Sequence, residues 1–190
     1  MNRLDFNEGI LIIGFPRTGT TLLRTLFKNN KNYLVYEIEL QWLLDYFLKF
    51  GNKGLIVDRA WTFLNSHLKF PSNNRWELIN IQKDDFVNYF DVDVPISPQT
   101  LFRGVMELVF KDNIDVKEKK VVVKYPALIE HEKLVNVLFE EVIVVNMVRD
   151  PRAAISSYMN RWFTRELFYV IKLWTGILCA ILYGRMYKWL

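Results

Sequence analysis

Short apolar runs alternate along the chain with stretches whose apolar residues recur at helical spacing. The runs are residues 9–14, 121–123 and 142–148, and we predict a strand at each. The first, an apolar run that ends in a turn signal, is typical of a buried parallel strand. Residues 33–36 are a shorter candidate strand. Strands that alternate with helices predict a parallel sheet joined by right-handed crossovers.

The predicted helices follow these runs. One apolar face begins after Thr20, a second begins at Leu40, and a third follows Ser97-Pro98, which has the composition of a helix cap and first turn. Residues 51–95 show only weak periodicity, and there we expect irregular helices and loops.

The composition is that of a globular chain with a mild excess of positive charge. Hydrophobic residues make up 51% of the chain, and 25 Lys and Arg against 21 Asp and Glu give a net charge of +4. This charge suits an anionic small ligand and is too small to predict nucleic-acid binding. Cys179 is the single cysteine, which excludes an internal disulfide and argues against a metal cluster. We therefore expect one domain over residues 1–190, a cytoplasmic location and no metal.

The C-terminal part, residues 167–190, begins with a largely apolar segment at 167–184 that Lys172 interrupts. Our expectation is a buried helix. One alternative is membrane association, since the segment has the minimum length for a span. Another is a chain that stops early, so that this helix normally packs under residues that follow. Nothing in the sequence predicts the oligomeric state.

A phosphate-binding loop is predicted between the first strand and the first helix. Gly14 and Gly19 allow a tight turn and a close approach of the backbone to an anion. The unpaired N–H groups and the dipole of the helix start favour a phosphate there, and Thr18, Thr20 and Thr21 add hydroxyl donors. The predicted fold class is therefore α/β, a three-layer P-loop fold with a central parallel sheet flanked by helices.

One position separates this loop from that of nucleotide triphosphatases. Their pattern is G-x-x-x-x-G-K-[ST], and Thr20 stands where that pattern has lysine. A kinase or ATPase without the lysine would lack its main contact to the β- and γ-phosphates. The cation of this loop is instead Arg17. A P-loop kinase or ATPase is therefore a less favoured alternative.

A second anion site is predicted after the third strand. Arg149 follows the strand, Asp150-Pro151 caps a helix, and Ser157 lies about two turns further on the same side as the cap. An arginine and a hydroxyl that converge at the carboxyl end of a strand suit a phosphate monoester. The alternative is ordinary helix capping beside a surface arginine.

Both segments resemble motifs of one family. Residues 14–23, Gly-Phe-Pro-Arg-Thr-Gly-Thr-Thr-Leu-Leu, resemble the 5′-phosphosulfate loop of sulfotransferases that use 3′-phosphoadenosine 5′-phosphosulfate (PAPS). Residues 149–158 resemble the 3′-phosphate motif of the same family. The resemblance, which is to the bacterial and Golgi-like branch, implies PAPS as sulfuryl donor and 3′-phosphoadenosine 5′-phosphate (PAP) as product. The acceptor would be a hydroxyl or amine in a carbohydrate, lipid, peptide tyrosine or small metabolite.

The resemblance also implies roles for single residues. Arg17 would contact the sulfuryl and leaving oxygens, and Lys124, in a Lys-x-Pro element after the middle strand, would lie close to the donor. These two cations would neutralise charge at the bridging oxygen. The residues that would hold the donor are Pro16, Arg17, Thr18, Gly19, Thr20, Thr21, Arg149 and Ser157.

The acceptor also needs a general base. Glu39 begins a Glu-Leu-Gln-Trp-Leu segment that resembles the Glu-x-x-aromatic-Leu element of the family, and we predict it as the base. Glu37 and His67 are the fallback candidates. A glutamate at a helix start can instead serve only to stabilise the helix dipole.

The resemblance covers roughly residues 9–45 and 100–165. The family builds its acceptor pockets in the region between, and we place the acceptor site at roughly residues 45–115. Family members continue past the second motif with a Tyr-Glu-Asp-Leu-like segment that this sequence lacks. The main alternative function is thus a non-catalytic or C-terminally truncated homologue that binds PAP or PAPS.

Overall fold

The computed structural model describes residues 8–14, 17–68, 81–112, 119–126, 128, 131–139 and 141–159. The strands are β1 (Glu8–Gly14), β2 (Tyr33–Val35), β3 (Lys120–Lys124) and β4 (Glu141–Met147). The helices are α1 (Thr20–Lys28), α2 (Gln41–Phe50), α3 (Val57–Leu68), α4 (Lys83–Tyr89), α5 (Pro98–Val109), α6 (Glu132–Leu138) and α7 (Pro151–Met159), and a 3₁₀ turn covers Gly51–Lys53.

The four strands form a parallel sheet in the order β2–β3–β1–β4. The register places Gly14 beside Met147 and Ile12 beside Lys124. Residues 9–14 of β1 are all buried, which explains why this inner strand is continuously apolar. The four carboxyl ends meet at one edge of the sheet, the edge at which ligands of such sheets bind.

Apolar side chains pack on both faces of the sheet and give three layers. On one face Leu11, Val121 and Val123 belong to a large cluster that includes residues of α2 to α6. On the other face a small cluster of Ile10, Ile12 and Val122 packs against α1. The central parallel sheet with helices on both sides confirms the predicted fold class.

Within residues 51–95, where irregular helices and loops are expected, the structure contains α3, a continuous helix from Val57 to Leu68. Its Phe63 ring lies 5.3 Å from the ring of Tyr46 and 5.4 Å from that of Phe50, between ring centroids. These large aromatic rings pack α3 against α2.

Several predictions fall on parts of the chain outside the described residues. They are the C-terminal helix at 167–190 with its apolar segment 167–184, Cys179, and the loop residue Pro16. None of the helices that the structure describes combines the length and the apolar character needed to cross a bilayer. The described ranges also hold no group of three or more His, Cys, Asp or Glu arranged to bind a metal ion. The single domain and the cytoplasmic location stay predictions.

Candidate functional site

The loop between β1 and α1 contains residues in the left-handed region of backbone space. Gly14 has a φ of 139°, Arg17 of 70° and Gly19 of 101°. A Cβ added at Gly14 would lie 2.6 Å from the carbonyl oxygen of Met147, so a residue with a side chain does not fit there. Arg17 adopts its positive φ despite its side chain, which is uncommon, and such strained residues cluster at functional sites.

The start of α1 faces the same edge of the sheet. Gly19 is the N-cap and makes no side-chain capping bond, and no acidic residue lies in the first turn of this helix. The first N–H groups and the positive end of the dipole are therefore suited to an anion. Thr18 and Thr20 are 8% and 4% exposed, whereas Thr21 is exposed. Of the three predicted hydroxyl donors, Thr21 is thus the one open to solvent.

Arg17 joins the two predicted anion sites. Its Nε donates to Ser157 Oγ at 3.1 Å, and its carbonyl oxygen accepts from Arg149 Nη1 at 3.0 Å. The two arginines are exposed, and Ser157 is partly exposed. We refer to Arg17, Arg149 and Ser157 as the arginine cluster. It brings the ends of β1 and β4 into direct contact through polar groups.

Asp150 organises the backbone between Arg149 and Ser157. Its carboxylate accepts from the backbone N–H of Arg152 at 2.8 Å and from the guanidinium of Arg152 at 2.7 and 3.2 Å. The side-chain hydrogen bond with Arg152 is the main reason that the pKa of Asp150 is lowered to about 2. The predicted cap at Asp150 is confirmed, and it sets the point at which α7 begins.

A second cluster lies at the ends of β2 and β3. Lys124, the last residue of β3, is only 6% exposed. Its Nζ donates to Glu39 Oε1 at 2.5 Å and to Thr21 Oγ1 at 3.0 Å. A buried ammonium requires such partners, because an unpaired buried charge is costly. We refer to Lys124, Glu39 and Thr21 as the lysine cluster, and it links β3, the segment before α2, and α1.

The two fallback candidates for the base make contacts elsewhere. The carboxylate of Glu37 pairs with Lys28, the last residue of α1. The ring of His67 stacks on Phe63 with 3.9 Å between centroids, and its Nε2 lies 3.6 Å from Asp45 Oδ2. Of the three predicted bases, Glu39 is the one that the structure places against Lys124.

Sequence reasoning missed the contact between Tyr125 and Gln41. Tyr125 is buried directly after Lys124, and its hydroxyl donates to Oε1 of Gln41, the first residue of α2. Gln41 Nε2 in turn donates to Asp45 Oδ1 at 2.7 Å. These bonds hold the start of α2, which lies two residues after Glu39 in the sequence. The signal in the sequence that could have indicated this contact was Tyr125 itself. It occupies the x position of the Lys-x-Pro element, where the resemblance specifies no residue type.

A concave surface of about 640 Å³ lies between α4 and α5. It falls within the region 45–115 predicted for the acceptor, and none of its lining residues belongs to the arginine or the lysine cluster. Its carboxylates have partners, since Asp85 pairs with Lys111 at 2.7 Å and Glu107 accepts from the Tyr89 hydroxyl at 2.7 Å. The location of the acceptor site stays a prediction.

Comparison with known proteins gives both matches and an absence of matches. Residues 9–180 match the model of the sulfotransferase family. Comparison with curated protein sequences finds no significant match. Among solved structures, the sulfotransferase domain of the olefin synthase from Synechococcus PCC 7002 matches with a TM-score of 0.51 and 18% identity, over 85% of this chain and 55% of that one. The sulfotransferase STF9 from Mycobacterium avium matches with a TM-score of 0.40 and 14% identity, over 83% of this chain and 47% of that one.

The match to the Synechococcus domain concerns the fold, which the two chains share at 18% identity. The present chain spans about half the length of these solved structures, 55% and 47% of them respectively. The family model, by contrast, extends over most of the sequence, from residue 9 to residue 180.

Proposed function

The chain belongs to the sulfotransferase family, and we propose that it transfers a sulfuryl group from PAPS to a hydroxyl or amine acceptor. The observation that carries this proposal is the contact of Arg17 with both Arg149 and Ser157. It joins a loop suited to a 5′-phosphosulfate with an arginine–hydroxyl pair suited to a 3′-phosphate. Since the 3′-phosphate distinguishes PAPS from ATP, the pairing favours this donor over a nucleoside triphosphate.

The chemistry of the described residues fits such a donor. Gly14 and Gly19 allow close approach of the backbone, and the start of α1 offers N–H groups to a 5′-phosphate. Exposed Arg17 and Arg149 supply two guanidiniums that bind phosphate oxygens well. Their hydrogen bonds to one another and to Ser157 lie at the protein surface, so an anion can replace them without opening the core.

Lys124 is suited to act on the reacting group rather than on the nucleotide. In sulfuryl transfer, the bond between sulfur and the bridging phosphate oxygen breaks while a bond from the acceptor oxygen or nitrogen to sulfur forms. Negative charge grows on the bridging oxygen, and Arg17 and Lys124 are the cations that would neutralise it. Because Glu39 and Thr21 already hold the ammonium of Lys124, little reorganisation is needed during the reaction.

Glu39 is the residue that we assign as general base. The acceptor proton must leave as the new bond to sulfur forms, and a carboxylate within reach can accept it. The Glu39 side chain is 36% exposed although its partner Lys124 is buried, so an acceptor that approaches from solvent can reach it. The ion pair with Lys124 orients the carboxylate toward the start of α1.

The proposal is tested by incubating the chain with PAPS and one acceptor from each class: a sugar, a long-chain alcohol, a tyrosine peptide and an amine. We expect PAP and a sulfated product to appear in equal amounts with at least one of them. Tight binding of PAP without turnover on the whole panel would support a non-catalytic homologue instead. Magnesium-dependent consumption of ATP would support the kinase or ATPase alternative.

A further inference from the structure

One face of α1 is directed at the segment that carries Glu39. Thr21, Arg24 and Lys28 are spaced i, i+3 and i+7 and therefore share a face of the helix. Thr21 accepts from Lys124, the partner of Glu39. Arg24 and Lys28 contact the segment itself, both through Glu37.

The two contacts with Glu37 differ in kind. Arg24 donates from Nη1 to the backbone carbonyl of Glu37 and is partly buried. Lys28 pairs with the side-chain carboxylate of Glu37, and the lysine side chain is 60% exposed. A bond to the carbonyl holds the backbone in place, whereas an exposed ion pair holds only a mobile side chain and contributes little.

The segment from Tyr36 to Leu40 is anchored on its opposite side by the core. Tyr36, Ile38 and Leu40 are buried, while Glu37 and Glu39 are partly exposed and face α1 and Lys124 through their contacts. The side chain of Glu39 thus pairs with Lys124, and the backbone two residues before Glu39 is held to α1 by Arg24.

We propose that Arg24 is a positioning residue for sulfuryl transfer, which holds Glu39 at a set distance from the loop at the start of α1. The inference rests on the proposed function. Arg24 lies about one turn beyond that loop on the same helix. Its bond to the Glu37 carbonyl therefore fixes the position of Glu39 relative to the donor site. Without that bond, the position of Glu39 would depend on the Lys124 bridge to Thr21 and on the exposed Lys28–Glu37 pair.

The experiment compares Arg24→Met with Lys28→Met, which removes the other contact of α1 with the same residue. We expect Arg24→Met to lower kcat by roughly tenfold to a hundredfold, the effect of a displacement of about 1 Å at a reacting group, with the Kd for PAP within about twofold. Lys28→Met should leave both values near those of the wild type. Arg24→Lys should recover part of the kcat lost in Arg24→Met, because an ammonium still donates to a carbonyl. If Arg24→Met does not fold, Arg24→Lys is compared with Lys28→Met in the same way.

Amide hydrogen exchange gives a second readout that needs no turnover. Residues 36–40 should exchange faster in Arg24→Met than in the wild type, with the exchange of β1 unchanged. Wild-type kcat in Arg24→Met, or a loss of PAP affinity as large as the loss of kcat, would overturn the inference. If the wild-type chain neither binds PAP nor transfers sulfuryl groups, the proposed function is contradicted instead. In that case unchanged exchange at residues 36–40 would overturn the inference on its own.

Discussion

The arginine cluster and the lysine cluster each combine cationic side chains with a hydroxyl, but their surroundings differ, and the lysine cluster also contains a carboxylate. The arginine cluster is joined by bonds of 3.1 and 3.0 Å between exposed or partly exposed residues. In the lysine cluster the Lys124 side chain is only 8% exposed, and its bond to Glu39 is 2.5 Å long. Salt screens exposed charges beyond about 8 Å at physiological ionic strength and screens buried pairs much less.

This difference indicates a division of roles within one site. Exposed groups can exchange their internal bonds for bonds to a ligand, so the arginine cluster is suited to capturing a nucleotide. A charge that is held in place and shielded from water is most effective at stabilising a transition state, so the buried Lys124 of the lysine cluster is suited to the transfer step. Substitutions in the first cluster should alter affinity, and those in the second should alter turnover and stability.

The largest effect is expected from Glu39→Gln. Loss of a general base lowers kcat by about 10²- to 10⁴-fold, while the amide still accepts from Lys124 and the fold is retained. Steady-state kinetics with PAPS measures kcat, and calorimetry with PAP should give a wild-type Kd. Glu37→Gln is the matched control and should keep wild-type turnover. Full activity of Glu39→Gln would remove Glu39 as the base.

Lys124→Met should reduce both turnover and stability. Loss of one preorganised charge contact lowers kcat by about 10²- to 10³-fold. The free energy of unfolding should fall by about 1–3 kcal/mol, less than for a fully buried pair, because Glu39 is 36% exposed and can regain water. Urea unfolding measures this change, and the double variant Lys124→Met/Glu39→Gln should recover part of it. An unchanged urea midpoint in Lys124→Met would contradict the role of this ion pair in the fold.

Arg149→Ala should affect affinity alone. Loss of charge-assisted hydrogen bonds to a 3′-phosphate weakens PAP binding by about ten- to a hundredfold, more strongly at low salt than at high salt. Binding of AMP, which lacks that phosphate, should not change, and neither should the thermal midpoint. Arg152→Ala removes a nearby exposed arginine that pairs with Asp150 and should keep PAP binding. Equal losses for PAP and AMP in Arg149→Ala would argue that Arg149 does not contact the 3′-phosphate.

The smallest effect concerns acid pH. The pKa of Asp150 is lowered from 3.8 to about 2, mainly by its side-chain bond to Arg152. A carboxyl whose pKa is lower in the folded state contributes stability above its unfolded pKa and loses that contribution as pH falls through the folded value. The thermal midpoint of the wild type should therefore fall slightly more between pH 4 and pH 2 than that of Asp150→Asn. Parallel declines in the two proteins would contradict this assignment.

The sequence predicted the parts of the site that local patterns control. The apolar run of β1, the spacing of Gly14 and Gly19, and the Asp150-Pro151 cap each act within a few residues, and the structure contains all of them. The family prediction is also confirmed, by the match over residues 9–180.

The contacts between distant residues were not predictable in the same way. Lys124 and Glu39 are 85 positions apart, and their pairing depends on the register of β3 against its neighbours and on the path of the chain after β2. The contact of Arg17 with Ser157 spans 140 positions and depends on the side-chain directions within the loop. Sequence motifs identify residues that lie at the same edge of the sheet, but they do not show which of these residues contact each other.

The most direct test of the central claim is titration calorimetry of the chain with PAP and AMP at one salt concentration. The two ligands differ only in the 3′-phosphate, which we assign to Arg149 and Ser157. We predict that PAP binds at least about tenfold more tightly than AMP, and that Arg149→Ala removes most of the difference. Equal affinities of the wild-type chain for the two ligands would contradict the claim that the arginine cluster recognises a 3′-phosphorylated donor.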